Sequence, residues 1–458
     1  MSPVKMTPIE RRAALSLASI FALRMLGLFM ILPVFALYAE HLDGVTPLLV
    51  GIAIGVYGLT QAMLQIPFGM ASDRIGRKPV IAVGLLIFAV GSVVAAQADT
   101  IHGVIIGRAL QGAGAVAAAV MALVADLTRE DHRSKAMAVI GMTIGFSFLG
   151  AMVAGPLLAH MIGLSGIFWL TALLALLGIV ILFAVVPNPK KISLHRETEP
   201  VPAKFSEVLR DGELLRLDLG IFVLHLILTS SFVVLPLALR DAGLDPADHL
   251  FVYLPVMVVA MGLAVPFIII AEARRKMKQV FVGAVAALLV GQLLLVSAHA
   301  TVLSIGLLML LFFTAFNLLE ATLPSLVSKV AHADSKGTAM GVYSSSQFTG
   351  AFAGGLLGGG IYGIWDGTGV FLLNALMLLI WLMAAATMRQ PRYLASELIQ
   401  VGDQDEQSAR ALAQKLLAID GVEEAYVCTD DGVAYMKVDR KVIDMEVLEC
   451  YMVSENQA

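Results

Sequence analysis

From Ala13 to Met388 the chain is a succession of apolar stretches, each about as long as a bilayer is thick, separated by short polar punctuation. A hydrocarbon core of about 30 Å is crossed by about 20 helical residues, and inside it every backbone N–H and C=O must find its partner within the protein. Twelve such stretches are read: 13–39, 48–71, 79–97, 103–125, 136–159, 164–186, 217–239, 250–271, 279–297, 302–328, 338–362 and 367–388. One longer connector, Pro187 to Arg216, divides them into six and six. Composition agrees: 59% of the 458 residues are hydrophobic and only 14% charged, with a mean hydropathy of +0.86, where soluble domains carry about 25% charged residues. The stretch after Arg11 and Arg12 is far longer than the roughly 7–15 apolar residues of a cleavable leader, so it is expected to remain as a helix.

Lysine and arginine set the expected orientation, because cytoplasmic loops retain them. With the N-terminus inside, the inner segments carry Lys5, Arg11 and Arg12, then Arg74, Arg77 and Lys78, then Arg129, Arg133 and Lys135, six more in the connector, and further groups near 274–278, 329–336 and 389–392. The outer loops carry Arg240 alone. Both termini are therefore expected in the cytoplasm.

The two sets of six resemble each other. Gln65-Ile66-Pro67-Phe68 precedes Asp73 at the spacing at which Ala264-Val265-Pro266-Phe267 precedes Glu272, and Ala136-Met137-Ala138-Val139 leads to Gly155 as Ala339-Met340-Gly341-Val342 leads to Gly358. An internal duplication explains both, and such repeats hold a substrate site between them at mid-membrane. From Tyr393 onward the character changes: fourteen acidic residues face five basic ones, and the apolar runs shorten. Glu397–Val401, Val422–Thr429 and Val433–Val438 read as strands, with Asp430-Asp431-Gly432 as the hairpin turn, and Gln407–Ala418 and Val442–Tyr451 read as helices. This is a small ferredoxin-like α+β unit without its last strand. Cys428 and Cys450 form no CxxC pair and read as plain thiols.

The most specific motif is Gly69-Met70-Ala71-Ser72-Asp73-Arg74-Ile75-Gly76-Arg77-Lys78, between helices 2 and 3. It resembles the GxxxDRxGRK signature of the major facilitator superfamily, and the helix count and duplication extend the likeness over about 390 residues. The resemblance implies an all-α membrane protein of twelve transmembrane helices in two six-helix pseudo-repeats, with the C-terminal α+β domain appended. The expected division is 1–186, a linker 187–216, 217–389 and a soluble domain 393–458. It further implies that Asp73 approaches the N-terminus of helix 11 in an outward-open state and that Arg77 pairs with Asp126 at the inner end of helix 4. The plainer alternative is a topogenic charge cluster. In the second half Glu272 keeps the acid, but Ala273 stands where Arg74 stands in the first and no glycine matches Gly76.

Arg108-Ala109-Leu110-Gln111-Gly112 resembles the RxxQG motif of proton-coupled members, and Gly145, Gly150, Gly155 and Pro156 on helix 5 resemble the GxxxGP signature of the antiporter branch, or else form a packing face. Ionisable groups within spans are costly and thus functional candidates. Arg24, Arg108 and Glu320 are expected well inside, with His225 as a titratable fourth and Asn317 one turn from Glu320. Their helices line the central cavity in the family. Glu320, read as the sole deep carboxylate, is either a proton carrier or permanently paired with Arg24 or Arg108. His225 is a second proton carrier or a packing residue. Tyr57, Gln61, Gln65, Tyr343 and Gln347 reach the same cavity or pack.

No phosphate-binding loop, metal-ligand spacing or nucleophile constellation is present in the sequence, so neither an enzyme nor an ATP-driven pump is expected, and no cofactor. The expected function is proton-coupled export of a small solute or drug-like compound, the partners being that solute, protons and the bilayer, with no nucleic acid. The alternatives are an uptake symporter and a non-transporting sensor read out by the tail, which is expected to dock on basic loops or to self-associate.

Overall fold

The computed structural model describes residues 6–188, 204–332, 335–390, 395–402, 404–429, 432–439, 442–444, 447–448 and 450–451. Ten helices are long and apolar enough to cross a membrane, and two of them are double-length, giving twelve crossings. Helix 1 is Pro8–Phe29, begun by a reciprocal cap in which Glu10 N–H donates to Thr7 Oγ1 (3.2 Å) and Thr7 N–H to Glu10 Oε2 (2.7 Å). Helices 2 and 3 are Pro47–Ile75 and Arg77–Ala96, and helix 4 is Ile101–Ala113 continued by Ala117–Leu127. Helices 5 and 6 form one run, Glu130–Ala184, bent at Gly163, whose φ of 69° is left-handed and suits a residue without Cβ. Helices 7 to 10 are Gly212–Asp241, Leu250–Ala273, Met277–Ser297 and Val302–Val330. Helices 11 and 12 share Lys336–Ala386, bent at Trp365 and Asp366. Twelve crossings return the chain to its starting face, here called the lower face.

Two expected helices are interrupted. Helix 1 does not run to residue 39: it stops at Phe29, and the chain turns through Met30–Val34 into the short helix Phe35–Tyr38. Pro33, having no N–H, cannot continue the ladder there. Helix 4 breaks at Gly114–Val116, where a Cβ on Gly114 would lie 2.3 Å from the Gly84 carbonyl oxygen of helix 3. Hydropathy windows do not register either break, because the residues at both are as apolar as their neighbours.

Beyond the bundle, β1 (Ala395–Gln400), the helix Glu406–Leu417, β2 (Val422–Cys428) and β3 (Val433–Val438) form a three-stranded antiparallel sheet of order β1-β3-β2 with one helix against it. Asp405 caps that helix by accepting from Ser408 N–H (2.7 Å), which lowers the Asp405 pKa. Val427, Ala434, Met436 and Leu416 fill the space between them. The second tail helix expected over Val442–Tyr451, and the linker from 189 to 203, lie partly or wholly outside the described residues.

Candidate functional site

At the lower end of the first half, Gly76 has a φ of 109°, a left-handed turn between helices 2 and 3 that glycine adopts without penalty. It aims Arg77 back into the bundle. The Arg77 side chain is 1% exposed and donates through Nε to Asp126 Oδ2 (3.0 Å), through Nη1 to Ser72 Oγ (2.9 Å), and also to Asp73. Asp126 is fully buried, Asp73 is 28% exposed, and Arg74 points outward. Lys78 Nζ caps the end of helix 6 at the Val186 carbonyl (2.6 Å), and Arg12 Nε does so at Val185 (2.8 Å). Glu10 ties the start of helix 1 to Arg129 (2.9 Å). The lower ends of helices 1, 2, 3, 4 and 6 are thus bound into one charged network.

Removing one partner of a buried ion pair leaves an uncompensated charge and costs about 3–5 kcal/mol. Asp126→Asn is therefore expected to lower the thermal midpoint of the purified protein markedly, and Asp73→Asn, at a more solvated site, to lower it less. Because both act on Arg77, the double variant should lose less than the two single losses combined. Strict additivity in that cycle would reduce the cluster to a topology signal.

Arg24 and Arg108 do not meet Glu320. Both are 1% exposed and lie inside the first half. Arg24 Nη2 donates to Tyr57 Oη (2.7 Å), Gln61 Oε1 (2.8 Å) and the Gly114 carbonyl (3.1 Å), so it satisfies an oxygen released by the break in helix 4. Arg108 donates to Gln111 Oε1 (2.8 Å), and Gln111 donates on to Ser92 Oγ (2.7 Å). Both guanidinium groups lie over the Tyr57 ring, at 5.8 and 5.3 Å from its centroid. The expected sharing of one cavity by two arginines and a glutamate is thus corrected, since both arginines turn to backbone, hydroxyl and amide oxygens around helices 2 and 4, with Arg24 Nε and Nη1 buried without a hydrogen-bond partner. On helix 5, a Cβ on Gly155 would meet the Met30 carbonyl at 2.6 Å and Pro33 at 2.9 Å, so this glycine admits the broken end of helix 1. Pro156 lies inside the helix, Gly150 faces Leu26, and Gly145 has open space around it.

In the second half three helices bring Glu320, Gln347 and His225 together. Gln347 Nε2 lies 3.2 Å from Glu320 Oε1 and 2.9 Å from His225 Nε2, and His225 Nδ1 lies 3.3 Å from the Ile221 carbonyl. A carbonyl accepts only, so Nδ1 carries the hydrogen and Nε2 is the acceptor, leaving the Gln347 amide to donate once to each neighbour. The Glu320 side chain is 38% exposed, while its Oε2 and Asn317 Nδ2 are sealed from solvent without a hydrogen-bond partner. Tyr343 Oη, one turn below Gln347, is a third such atom. Glu320 is not the sole buried carboxylate, however. Asp218 is 6% exposed in the second turn of helix 7, which starts at Gly212 rather than near 217 because Asp211 caps it. The sequence reading also missed a buried polar network in which Asn374 joins Ser230 (2.6 Å), Ser231 (3.3 Å) and Gln292 (3.2 Å), for isolated Ser and Asn in apolar helices carry no pattern.

Helices 2 and 11 join the halves through bare backbone. A Cβ on Gly51 would lie 2.0 Å from the Gly355 oxygen, and one on Gly58 2.4 Å from the Phe348 oxygen. Gln65 Nε2 donates to Ser345 Oγ (2.8 Å), and Arg240 at the end of helix 7 pairs with Glu40 (2.9 Å). Phe148 of helix 5 packs on Phe232, Phe313 and Phe316. Apart from the Gln65–Ser345 bond, which lies below the middle of its two helices, these cross-half contacts among the described residues lie at mid-span or above, so this state is closed toward the upper face.

Two pseudo-symmetric six-helix halves meeting at a closed upper seam, with unpartnered polar atoms beneath it, define a membrane transporter. The chain belongs to the Major Facilitator Superfamily, whose family model matches residues 17–355. It is 51% identical over 449 residues to the Inner membrane transport protein YajR of Escherichia coli K12, which covers 98% of this chain and 99% of that one. It is 35% identical to the Uncharacterized transporter BU466 of Buchnera aphidicola, over 76% of this chain and 89% of the relative. Among solved structures, the D-xylose-proton symporter aligns with a TM-score of 0.68 at 15% identity, over 82% of this chain and 97% of that one. The human organic anion transporter MFSD10 aligns with 0.60 at 20%, over 83% and 100%. At these identities the structures establish the fold alone.

Proposed function

We propose that this transporter is a proton-coupled exporter that exchanges protons for a small solute or drug-like compound, in an inner membrane with its lower face and both termini in the cytoplasm. The observation that carries the reading is the Glu320–Gln347–His225 chain at mid-span. A deprotonated Glu320 accepts from Gln347 in a charge-assisted bond, whereas a protonated one gains an O–H to donate and accepts from that amide more weakly. Gln347 stands on helix 11, which also carries Gly355 of the upper seam, so proton occupancy and closure act on one helix. The helix 5 glycines favour export over uptake, and the lysine and arginine distribution favours the stated orientation. The charged cluster around Arg77 serves in this reading as the lower conformational gate, with Gly69, Asp73, Gly76 and Asp126.

Compounds that raise the thermal midpoint of the purified protein, as ligands specific to the folded state do, are to be added to proteoliposomes loaded with a pH-sensitive dye. Exchange predicts proton movement opposite to the compound. Transport with protons moving alongside it makes the protein a symporter, and transport with no proton movement removes the proton from the cycle.

A further inference from the structure

The two halves hold their lower ends differently. In the first, Arg77 reaches from the helix 2–3 turn to the lower end of helix 4 through Asp126 (3.0 Å). In the second, the corresponding turn has Glu272 at the place of Asp73, Arg275 at that of Gly76 and Lys276 at that of Arg77. Arg275 keeps the left-handed turn, with a φ of 52°, but Lys276 is exposed. Helix 10, the counterpart of helix 4, has no acidic residue at its lower end, where Ser325 to Val330 lead to the C-cap Ala331. Glu272 is left to pair with Lys329 (2.8 Å). That pair joins the same two elements with the charges exchanged, but Glu272 is 48% exposed, so among the described residues no fully buried cation of this half holds helix 10 as Arg77 holds helix 4.

The tail supplies one. Lys437 of β3, 3% exposed, donates from Nζ to the Lys329 carbonyl (2.9 Å) and to that of Ala331. These are among the last carbonyls of helix 10, which have no partner within the helix and carry the negative end of its dipole. Two further contacts reach the same two loops: Asp439 lies 3.6 Å from Arg275, and Glu424 lies 3.6 Å from His332. Lys437 also lies 3.6 Å from Glu424 of its own sheet, so the buried ammonium is held between a carboxylate of the tail and two carbonyls at the foot of helix 10.

We propose that the C-terminal domain completes the degraded second-half gate, with Lys437 as the positioning residue that holds the lower end of helix 10 as Arg77 holds helix 4. Through these contacts the domain rides on the second half and restrains the helix that carries Glu320.

The test is amide hydrogen exchange on the full chain in nanodiscs, comparing wild type, Lys437→Met, Lys437→Arg and a chain ending at Arg392. A cation at a helix C-terminus is worth about 0.3–2 kcal/mol, or about 2- to 30-fold in local opening. Lys437→Met should accelerate exchange over residues 325–335 by such a factor while helices 2 to 4 are unchanged, Lys437→Arg should restore most of the protection, and the shortened chain should match Lys437→Met. Should Lys437→Met also loosen the sheet at 395–438, the shortened chain decides: unchanged exchange at 325–335 there overturns the proposal. So does an arginine variant no better than methionine. Independently, Arg275→Cys with Asp439→Cys, in a background lacking Cys428 and Cys450, should be joined within the monomer by a bifunctional thiol reagent whose length replaces the arginine stem, and failure to cross-link would remove the docked geometry.

Discussion

Gly51→Val will hold the transporter open at its upper face. Helices 2 and 11 approach so closely that Gly51, Gly355, Gly359 and the Pro47 carbonyl touch through main-chain atoms, a Cβ on Gly359 lying 2.4 Å from the Pro47 oxygen. No flexible side chain stands between them to move aside. Overpacking a tight contact costs about 1–3 kcal/mol even where side chains repack, and a clash with backbone lies at or beyond the top of that range. About 3 kcal/mol shifts a two-state ratio by more than a hundredfold, enough to reverse which state dominates. Spin labels at Asp99→Cys and Trp365→Cys, on upper loops of opposite halves in a background lacking Cys428 and Cys450, should pass from a short to a long main distance. A distribution unchanged by Gly51→Val would show that the seam is passive packing.

Glu320→Gln should abolish the response to protons. The amide keeps the size of the carboxyl group and a hydrogen-bonding oxygen toward Gln347, but it has no proton to lose. With the same spin-label pair, the proportion of open and closed states in the parent chain should change between about pH 5 and 8, the range in which a coupled carrier must load and unload. In Glu320→Gln that change should be lost, and pH-driven transport should fall at least about tenfold while solute exchange without a gradient continues. A variant whose states still follow pH would pass the role to His225, whose Nε2 lies 4.0 Å from Glu320 Oε2.

Much of this was legible in the amino acids, and the reasons are specific. Apolar length marks each crossing because lipid admits only helices with internal hydrogen bonds, and the charged turn from Asp73 to Lys78 is legible because charge is rare in such a chain outside its loops. The tail strands Val422–Cys428 and Val433–Val438 fall within a residue of their expected limits because a hairpin turn with glycine punctuates them. The partners of buried charges were not legible. Arg24, Arg108 and Glu320 stand on cavity-lining helices of a generic transporter, but whether a guanidinium meets a carboxylate or a carbonyl depends on where a helix breaks, and the break at Gly114 follows from its contact with Gly84 on another helix.

The sequence by itself determined the class of the protein: twelve membrane crossings in two related halves, a charged turn at Asp73–Lys78, and an acidic α+β unit at the end. Each follows from the solvation of short segments, a property local to the chain. The tertiary structure alone decided that Glu320 is read by Gln347 and His225 instead of by arginine, that the upper face is closed by backbone between helices 2 and 11, and that Lys437 ends at the foot of helix 10. Those contacts join residues that are 27 to more than 300 positions apart. Their energies rest on a few tenths of an ångström between packed helices, and no local pattern of residues encodes that distance.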